Sequence, residues 1–224
     1  MYEIEIKSFL GSRERADELK RHLVQLFPAL RALPPHKQRN FYFNTPPDLS
    51  RVEKVAQAFL SAEKQAELSH IIKSAKSGVS IRTRDADGKA LFIMKASIGD
   101  DTSANGVSRI EFEEPVALSF DELNERLIGA GLTYQAKWSR EREHFDLGSI
   151  HITIDKNAGY GYLAEFEKML DDGGEAEYAK KELKALMTEL KCTELSQERL
   201  ERMFTYYNEH WQEYYGTERT FTVE

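Results

Sequence analysis

The first residues of the chain alternate between apolar and charged side chains. Ile4 and Ile6 share one face of an extended segment, and the charged residues beside them share the other. Successive side chains of a strand point to opposite faces, so this pattern predicts a strand over Tyr2–Phe9. Seven further segments have strand patterns: Gln38–Asn44, Val79–Asp85, Ala90–Ser97, Val107–Glu114, Tyr134–Phe145, Ser149–Lys156 and Tyr160–Lys168.

Helical periodicity separates and follows these strands. From Ser12, apolar residues recur at steps of three and four as far as Leu26, which predicts an amphipathic helix that ends before Pro28. Four more helices are predicted: from Ser50 to about Lys76, from Ser119 to about Gly129, Glu175–Lys191 and Gln197–Tyr215. The helices predicted from Ser50 and from Ser119 both begin with Ser-x-x-Glu, the pattern of a capping box.

Two turn signals complete the pattern. Asp87–Gly88 predicts a tight hairpin, and Pro34–Pro35 is expected in a loop. About eight antiparallel strands can close into a barrel that holds side chains or a small ligand. The predicted fold class is therefore α+β, an eight-stranded antiparallel β-barrel with helices packed outside. Residues 1–170 are expected to form this domain, with a helical insertion at about 50–76, and residues 171–224 a helical extension packed on it.

Composition narrows the class of protein. Of 224 residues, 41% are hydrophobic and 31% are charged, which is enough for a core and a solvated surface. The net charge of -7 argues against a globally basic nucleic-acid binder. Cys192 is the one cysteine, so an internal disulfide framework is excluded. We expect a cytoplasmic protein, because the chain starts with a strand and has no apolar run of the roughly 18 residues that a membrane span needs.

The charged residues on the strands form an unusual set. They stand two residues apart, so that each strand gathers them on one face: Glu3, Glu5, Lys7, Arg82, Arg84, Lys95, Arg109, Glu111, Glu113, Arg140, Arg142, Asp155, Glu165 and Glu167. An ordinary sheet with one wet face explains any single strand. The repeated Glu-x-Glu and Arg-x-Arg doublets favour a charged interior instead, since like charges repel unless a ligand lies between them.

The two kinds of charge suggest one ligand. Carboxylates two residues apart on a strand suit a hard cation such as Mg²⁺ or Mn²⁺. Arginine and lysine side chains match phosphate oxygens. Together they predict a metal-chelated polyphosphate as the bound small molecule.

The motifs also resemble those of a known family. Glu3-Ile-Glu5-Ile-Lys7 resembles the ExExK signature of the CYTH family, the triphosphate tunnel metalloenzymes. Later pieces follow in the family's order: Gln38-x-Asn40-x-Tyr42-Phe43, Arg82-x-Arg84, Lys95, Arg109-x-Glu111-x-Glu113, Arg140-x-Arg142, Asp155 and Glu165-x-Glu167. Three positions depart from the family pattern: Asn40 replaces an aspartate, Ile93 a threonine and Arg140 a lysine.

This resemblance, which covers about residues 2–168, implies a tunnel that binds triphosphates with a divalent metal. The leading expectation is hydrolysis of inorganic triphosphate or a nucleoside triphosphate. The alternatives are a class IV-type adenylyl cyclase that makes cyclic AMP and pyrophosphate, a thiamine triphosphatase, and a non-catalytic binder of polyphosphate or nucleotide. The long helix after Ser50 and the C-terminal helices are expected to pack, to cap the barrel or to form a homodimer.

The resemblance also implies residue roles. The expected metal ligands are Glu3, Glu5, Glu111, Glu113, Asp155, Glu165 and Glu167. The expected phosphate ligands are Lys7, Arg82, Arg84, Lys95, Arg109, Arg140 and Arg142. Candidate catalytic residues are Lys95, Tyr42 and Lys7, with Tyr42 and Lys95 activating a water molecule. A plain ion-pair ladder stays open as the other explanation. The six histidines show no metal-ligand spacing such as HxxxH, and His151 is expected only to line the tunnel or the surface.

Overall fold

The computed structural model describes residues 2–75, 77–97, 109–170 and 176–224. Within this range there are eight strands: β1 (Tyr2–Gly11), β2 (Arg31–Phe43), β3 (Ser77–Ala86), β4 (Lys89–Ser97), β5 (Arg109–Pro115), β6 (Tyr134–Leu147), β7 (Ile150–Asn157) and β8 (Gly161–Leu170). The helices are α1 (Arg13–Leu26), α2 (Ser50–Ala56), α3 (Ala62–Ser74), α4 (Phe120–Gly129), α5 (Ala176–Glu189) and α6 (Gln197–Tyr214). Among the described residues, none of the helices combines the length and the apolar composition that a membrane span requires.

The strands form one eight-stranded sheet in the order β1-β8-β7-β6-β2-β3-β4-β5. The ladders β1–β8, β8–β7, β7–β6, β2–β3, β3–β4 and β4–β5 are antiparallel. The predicted α+β class with eight antiparallel strands is therefore confirmed. Closure of the sheet into a tunnel stays a prediction.

The chain divides into two compact units, Met1–Lys37 with Ser139–Glu224 and Gln38–Trp138. The long strands β2 and β6 contribute residues to both units. The predicted division at residue 170 stays a prediction.

In the first unit, helices α1 and α5 cover the apolar face of the sheet. Ile6 of β1, Ile152 of β7 and Phe166 of β8 are buried in one cluster with Leu23 of α1 and Leu183 of α5. Full burial of each large aliphatic or aromatic side chain contributes about 1.5–3 kcal/mol. Because the apolar residues alternate with charged ones, this packing leaves the charged residues of β1, β7 and β8 on the opposite face.

The second unit has the same arrangement around β3, β4 and β5. Phe92 and Phe112 are fully buried and their rings pack edge to face. The Thr83 hydroxyl of β3 donates to Asn124 Oδ1 of α4 at 2.8 Å, and Asn124 in turn donates to the Phe120 carbonyl. This contact satisfies buried polar groups and joins α4 to the sheet.

The turns and caps test the local predictions. Asp87 and Gly88 both have positive φ (51° and 84°) between the paired ends of β3 and β4, so the predicted tight hairpin is confirmed. The capping box of Ser119 and Glu122 is also confirmed.

Two predictions for the segment after Ser50 are wrong. The single helix from Ser50 to about Lys76 is two helices, because Ser61 accepts a hydrogen bond from the Lys64 amide and caps a new helix, α3. The box proposed at Ser50 is absent too, since Leu49 is the N-cap of α2 and has no side-chain cap bond.

A third prediction is also wrong, because Pro34–Pro35 lies within β2 rather than in a loop. The β2–β3 ladder begins only at Gln38, so the prolines precede that ladder and remove no hydrogen bond from it.

Candidate active site

In the first unit, the register of β1 and β8 sets charged residues directly opposite one another. Lys7 is opposite Glu165, and Glu5 is opposite Glu167. The Lys7 ammonium lies 3.2 Å from Glu165 Oε1 and also contacts the Glu5 carboxylate. The first pairing joins opposite charges, whereas the second places two carboxylates about 5 Å apart at Cβ, which is unfavourable without a cation nearby.

Asp155 on β7 is the most deeply buried of the predicted site residues whose side chains are described, with 1% of its side chain exposed. Arg142 donates from Nε to Asp155 Oδ1 at 2.7 Å and from Nη2 to Oδ2 at 2.6 Å. Arg140 Nη1 adds a third bond to Oδ2 at 3.1 Å. The carboxylate therefore accepts a two-pronged arginine bond and a second charged donor, an arrangement that fixes all three side chains.

Arg142 connects this cluster to β8 because its Nη2 also donates to Glu165 Oε2. Burial alone lowers the pKa of Arg142, but Asp155 and Glu165 outweigh burial and raise it. The reverse balance acts on Glu165: burial raises its pKa, and the charges of Lys7 and Arg142 outweigh that effect and lower it. Both groups therefore remain ionised at neutral pH.

The second unit has its own charged cluster around Arg82 of β3. Arg82 Nη1 donates to the Tyr42 hydroxyl at 2.9 Å, and Nη2 lies 3.5 Å from Glu111 Oε1. Lys95 Nζ lies 2.9 Å from Glu111 Oε2. Arg82 Nε is shielded from solvent and has no hydrogen-bond partner among the described residues. The cluster thus holds a buried donor that an anion could satisfy.

Arg84 lies two residues further along β3. Its Nη1 donates to Glu113 Oε1 at 3.0 Å, and its Nε donates to Asn40 Oδ1 at 3.0 Å. Asn40, which replaces the aspartate of the family pattern, therefore still orients the guanidinium but adds no charge to it.

The structure brings the predicted residues together in two sets, one in each unit. The first set contains Glu5, Lys7, Arg140, Arg142, Asp155, Glu165 and Glu167, and the second contains Tyr42, Arg82, Arg84, Lys95, Glu111 and Glu113. The side chains of Glu3 and Arg109 lie outside the described residues. The assigned roles of all these residues stay predictions.

Sequence reasoning missed one cluster, formed by His144, Asp146 and His151 in the first unit. His144 and Asp146 are two residues apart on β6, and Asp146 pairs with His151 of β7 in the ladder. A search for helical histidine spacing does not find such a set. The signal was His-x-Asp followed, after a Gly-Ser turn, by another histidine.

The chain was also compared with known proteins. A sequence model of the CYTH domain matches residues 1–200. A search of curated proteins gave no match.

Several solved structures are similar. One is a protein from Vibrio parahaemolyticus that is described as a proposed adenylate cyclase. It is 18% identical with a TM-score of 0.56, and the match covers 92% of this chain and 98% of that one. A conserved hypothetical protein from Pyrococcus furiosus is 16% identical with a TM-score of 0.56, over 88% and 93% of the two chains. A Pyrococcus horikoshii protein is 20% identical with a TM-score of 0.55, over 88% and 94%. At these sequence identities, the similarity shows a shared fold only.

Proposed function

Because this chain belongs to the CYTH family, we propose that it hydrolyses a triphosphate, either inorganic triphosphate or a nucleoside triphosphate, with the help of Mg²⁺ or Mn²⁺. The observation that carries the proposal is the direct opposition of Glu5 and Glu167 on neighbouring strands. Two carboxylates in this position repel each other, and a bound cation removes the repulsion.

The residues present fit a divalent metal. Glu5, Glu165 and Glu167 offer oxygen ligands on one face of two adjacent strands, which is the ligand type that Mg²⁺ and Mn²⁺ prefer. Lys7 touches two of these carboxylates and would have to move aside as a metal bound. When bound, the metal supplies charge neutralisation at the phosphate oxygens.

The cationic residues fit the polyphosphate. Arg82 has a buried Nε without a partner among the described residues, so a phosphate oxygen would satisfy a group that is costly to leave unpaired. Arg140 and Arg142 are held in place by Asp155, so their donors are oriented before an anion arrives. Such preorganised donors stabilise charge that develops in the transition state.

In the proposed reaction, a water oxygen attacks the terminal phosphorus and the bond to the bridging oxygen breaks. The products are orthophosphate and the remaining diphosphate, and the water proton passes to a base or to solvent. Tyr42 and Lys95 are proposed to position that water. The Tyr42 hydroxyl accepts a hydrogen bond from Arg82, and Lys95 lies beside Glu111. Both side chains are therefore held by the contacts that surround the Arg82 guanidinium.

A second candidate is cyclisation of ATP. The name of the Vibrio parahaemolyticus relative favours this reaction, in which the ribose 3′-hydroxyl of the substrate replaces water as the nucleophile. The same charged residues would then hold the triphosphate, and the products would be cyclic AMP and pyrophosphate. Product identity therefore separates the two reactions.

The test is incubation of the purified protein with Mg²⁺ or Mn²⁺ and, in turn, inorganic triphosphate, ATP and thiamine triphosphate, followed by chromatography of the products. We expect orthophosphate release that EDTA abolishes. Glu5→Gln should lower kcat by about 100-fold or more, as loss of a charge-stabilising group does. Glu125→Gln is the matched control, since Glu125 is exposed on α4, and it should keep full activity.

Two results would contradict the proposal. One is the absence of turnover with all three substrates. If the protein binds a substrate without turnover, it is a sensor rather than an enzyme. The other is full metal-dependent activity in Glu5→Gln, with wild-type circular dichroism, which would exclude the carboxylate pair from metal binding.

A further inference from the structure

His144, Asp146 and His151 share one face of the β6–β7 hairpin. His144 and Asp146 stand two residues apart on β6, so their side chains point to the same side. Asp146 pairs with His151 across the hairpin, and His144 pairs with Thr153. Three potential metal ligands therefore meet near the end of the hairpin.

The turn that joins the two strands fixes this arrangement. Leu147 pairs with Ile150, so only Gly148 and Ser149 form the loop. Gly148 has a φ of +62°, which a two-residue hairpin needs at its first position and glycine adopts without strain. Ligands held on paired strands next to a tight turn have little freedom to separate.

The distances suit a single ion. Asp146 Oδ1 lies 2.7 Å from His151 Nδ1 and 3.2 Å from His144 Nε2. One ligand atom from each of the three residues lies within 4.8 Å of the others. In a tetrahedral zinc site with bonds of about 2.0–2.1 Å, ligand atoms lie roughly 3.3 Å apart. Only small side-chain adjustments separate the present geometry from that one.

His144 provides an independent indication. Its Nε2 atom is shielded from solvent and has no hydrogen-bond partner among the described residues, although Asp146 Oδ1 is close. A buried nitrogen without a partner is costly, and metal coordination would satisfy it.

We propose that His144, Asp146 and His151 bind one transition-metal ion of the Zn²⁺, Co²⁺ or Ni²⁺ type. Two imidazole nitrogens and one carboxylate oxygen favour these metals over Mg²⁺, which prefers oxygen ligands and its own water. Three protein ligands leave at least one coordination position open, as in zinc sites that bind an exchangeable water or anion.

The ligands of this site are different residues from those of the proposed Mg²⁺ site. Glu167 is opposite His151 in the β7–β8 ladder, so the two sites are neighbours on one face. The histidine site does not depend on the proposed triphosphatase activity, because none of its three ligands is among the residues proposed to bind Mg²⁺ or triphosphate.

The test uses Co²⁺ as the probe, titrated into the metal-free protein in a large excess of Mg²⁺ and followed by visible absorption. We expect one equivalent to bind, with the absorption bands of a low-symmetry imidazole-ligated ion. His144→Gln and His151→Asn should each weaken binding by about 100-fold, since even supporting residues around a metal change its affinity by 10–100-fold. His70→Gln, at an exposed position on α3, should bind as the wild type does.

A further variant separates the two metal sites. Glu165→Gln should keep Co²⁺ binding, whatever it does to catalysis. Circular dichroism shows whether each variant is folded. If His144→Gln does not fold, His151→Asn provides the test alone, because His151 is the more exposed of the two histidines. The proposal is overturned if the wild type binds no Co²⁺ in excess Mg²⁺, or if folded His151→Asn binds it with unchanged affinity and spectrum.

Discussion

Replacement of Asp155 by asparagine should be among the most destabilising changes of a single charge in the protein. The substitution keeps the shape of the side chain but removes the charge that three arginine donors share at 2.6–3.1 Å. The asparagine amide group would also point a donor at a guanidinium. Arg142, with 14% of its side chain exposed, would keep Glu165 as its remaining carboxylate partner.

The size of the effect follows from this burial. Removing one partner of a buried ion pair costs about 3–5 kcal/mol, because the other charge stays buried without compensation. In a chain of this length each kcal/mol lowers the melting temperature by roughly 2–4 °C, so we expect a decrease of about 10 °C. Urea unfolding and thermal scans at neutral pH measure both quantities.

A matched control isolates the contribution of burial. Asp17→Asn removes an exposed carboxylate that lies 2.8 Å from Lys20 on α1, and such solvent-exposed pairs contribute little to stability. A loss in Asp155→Asn no larger than that in Asp17→Asn would refute the reasoning. Inorganic triphosphate without metal should raise the melting temperature of Asp155→Asn more than that of the wild type, because it would offer the released arginines a new anionic partner.

Two further predictions concern backbone space and pH. Gly161→Ala should destabilise the protein strongly in the same urea assay, since the φ of Gly161 is +76° and the added Cβ would lie 2.1 Å from the Gly11 carbonyl oxygen. Gly88 also has a positive φ but open space around it, so Gly88→Ala should cost only about 1 kcal/mol. Burial raises the pKa of Glu165, but the charges of Lys7, Arg142 and Arg140 together outweigh burial and lower it. Its ionised form therefore stabilises the fold above its unfolded pKa of 4.5, and this contribution is lost as pH falls through the lower folded value. Glu165→Gln should therefore show a smaller loss of stability between about pH 5 and pH 3 than the wild type, and equal slopes would contradict this.

The elements that sequence predicted well are those with a local physical cause. The hairpin at Asp87–Gly88 needs two residues with positive φ, and that dipeptide tolerates it. The break between α2 and α3 was not predictable from periodicity, because apolar positions continue past it. Its cause, the amide of Lys64 bonding to Ser61, is one of several local bonds that a serine can form.

The candidate site divides in the same way. Alternation along each strand predicted which residues share a face, and that holds for Glu5 and Lys7 on β1. The partner across the ladder was not predictable, because a slip of two residues keeps every side chain on its face and changes every pair. Only the register shows that Glu5 is opposite Glu167 and that Asp146 is opposite His151.

The balance of charge in the first unit bears on how substrate would bind. Among its predicted site residues with described side chains, three are cationic and four are anionic: Lys7, Arg140 and Arg142, and Glu5, Asp155, Glu165 and Glu167. Ion pairs already join all three cations to these carboxylates. A triphosphate that took the arginines would therefore leave buried carboxylates without partners, at a cost of several kcal/mol per charge. A divalent cation removes that cost because it binds carboxylate and phosphate oxygens alike. Metal and triphosphate should consequently strengthen each other's binding, and by thermodynamic linkage the two effects must be equal.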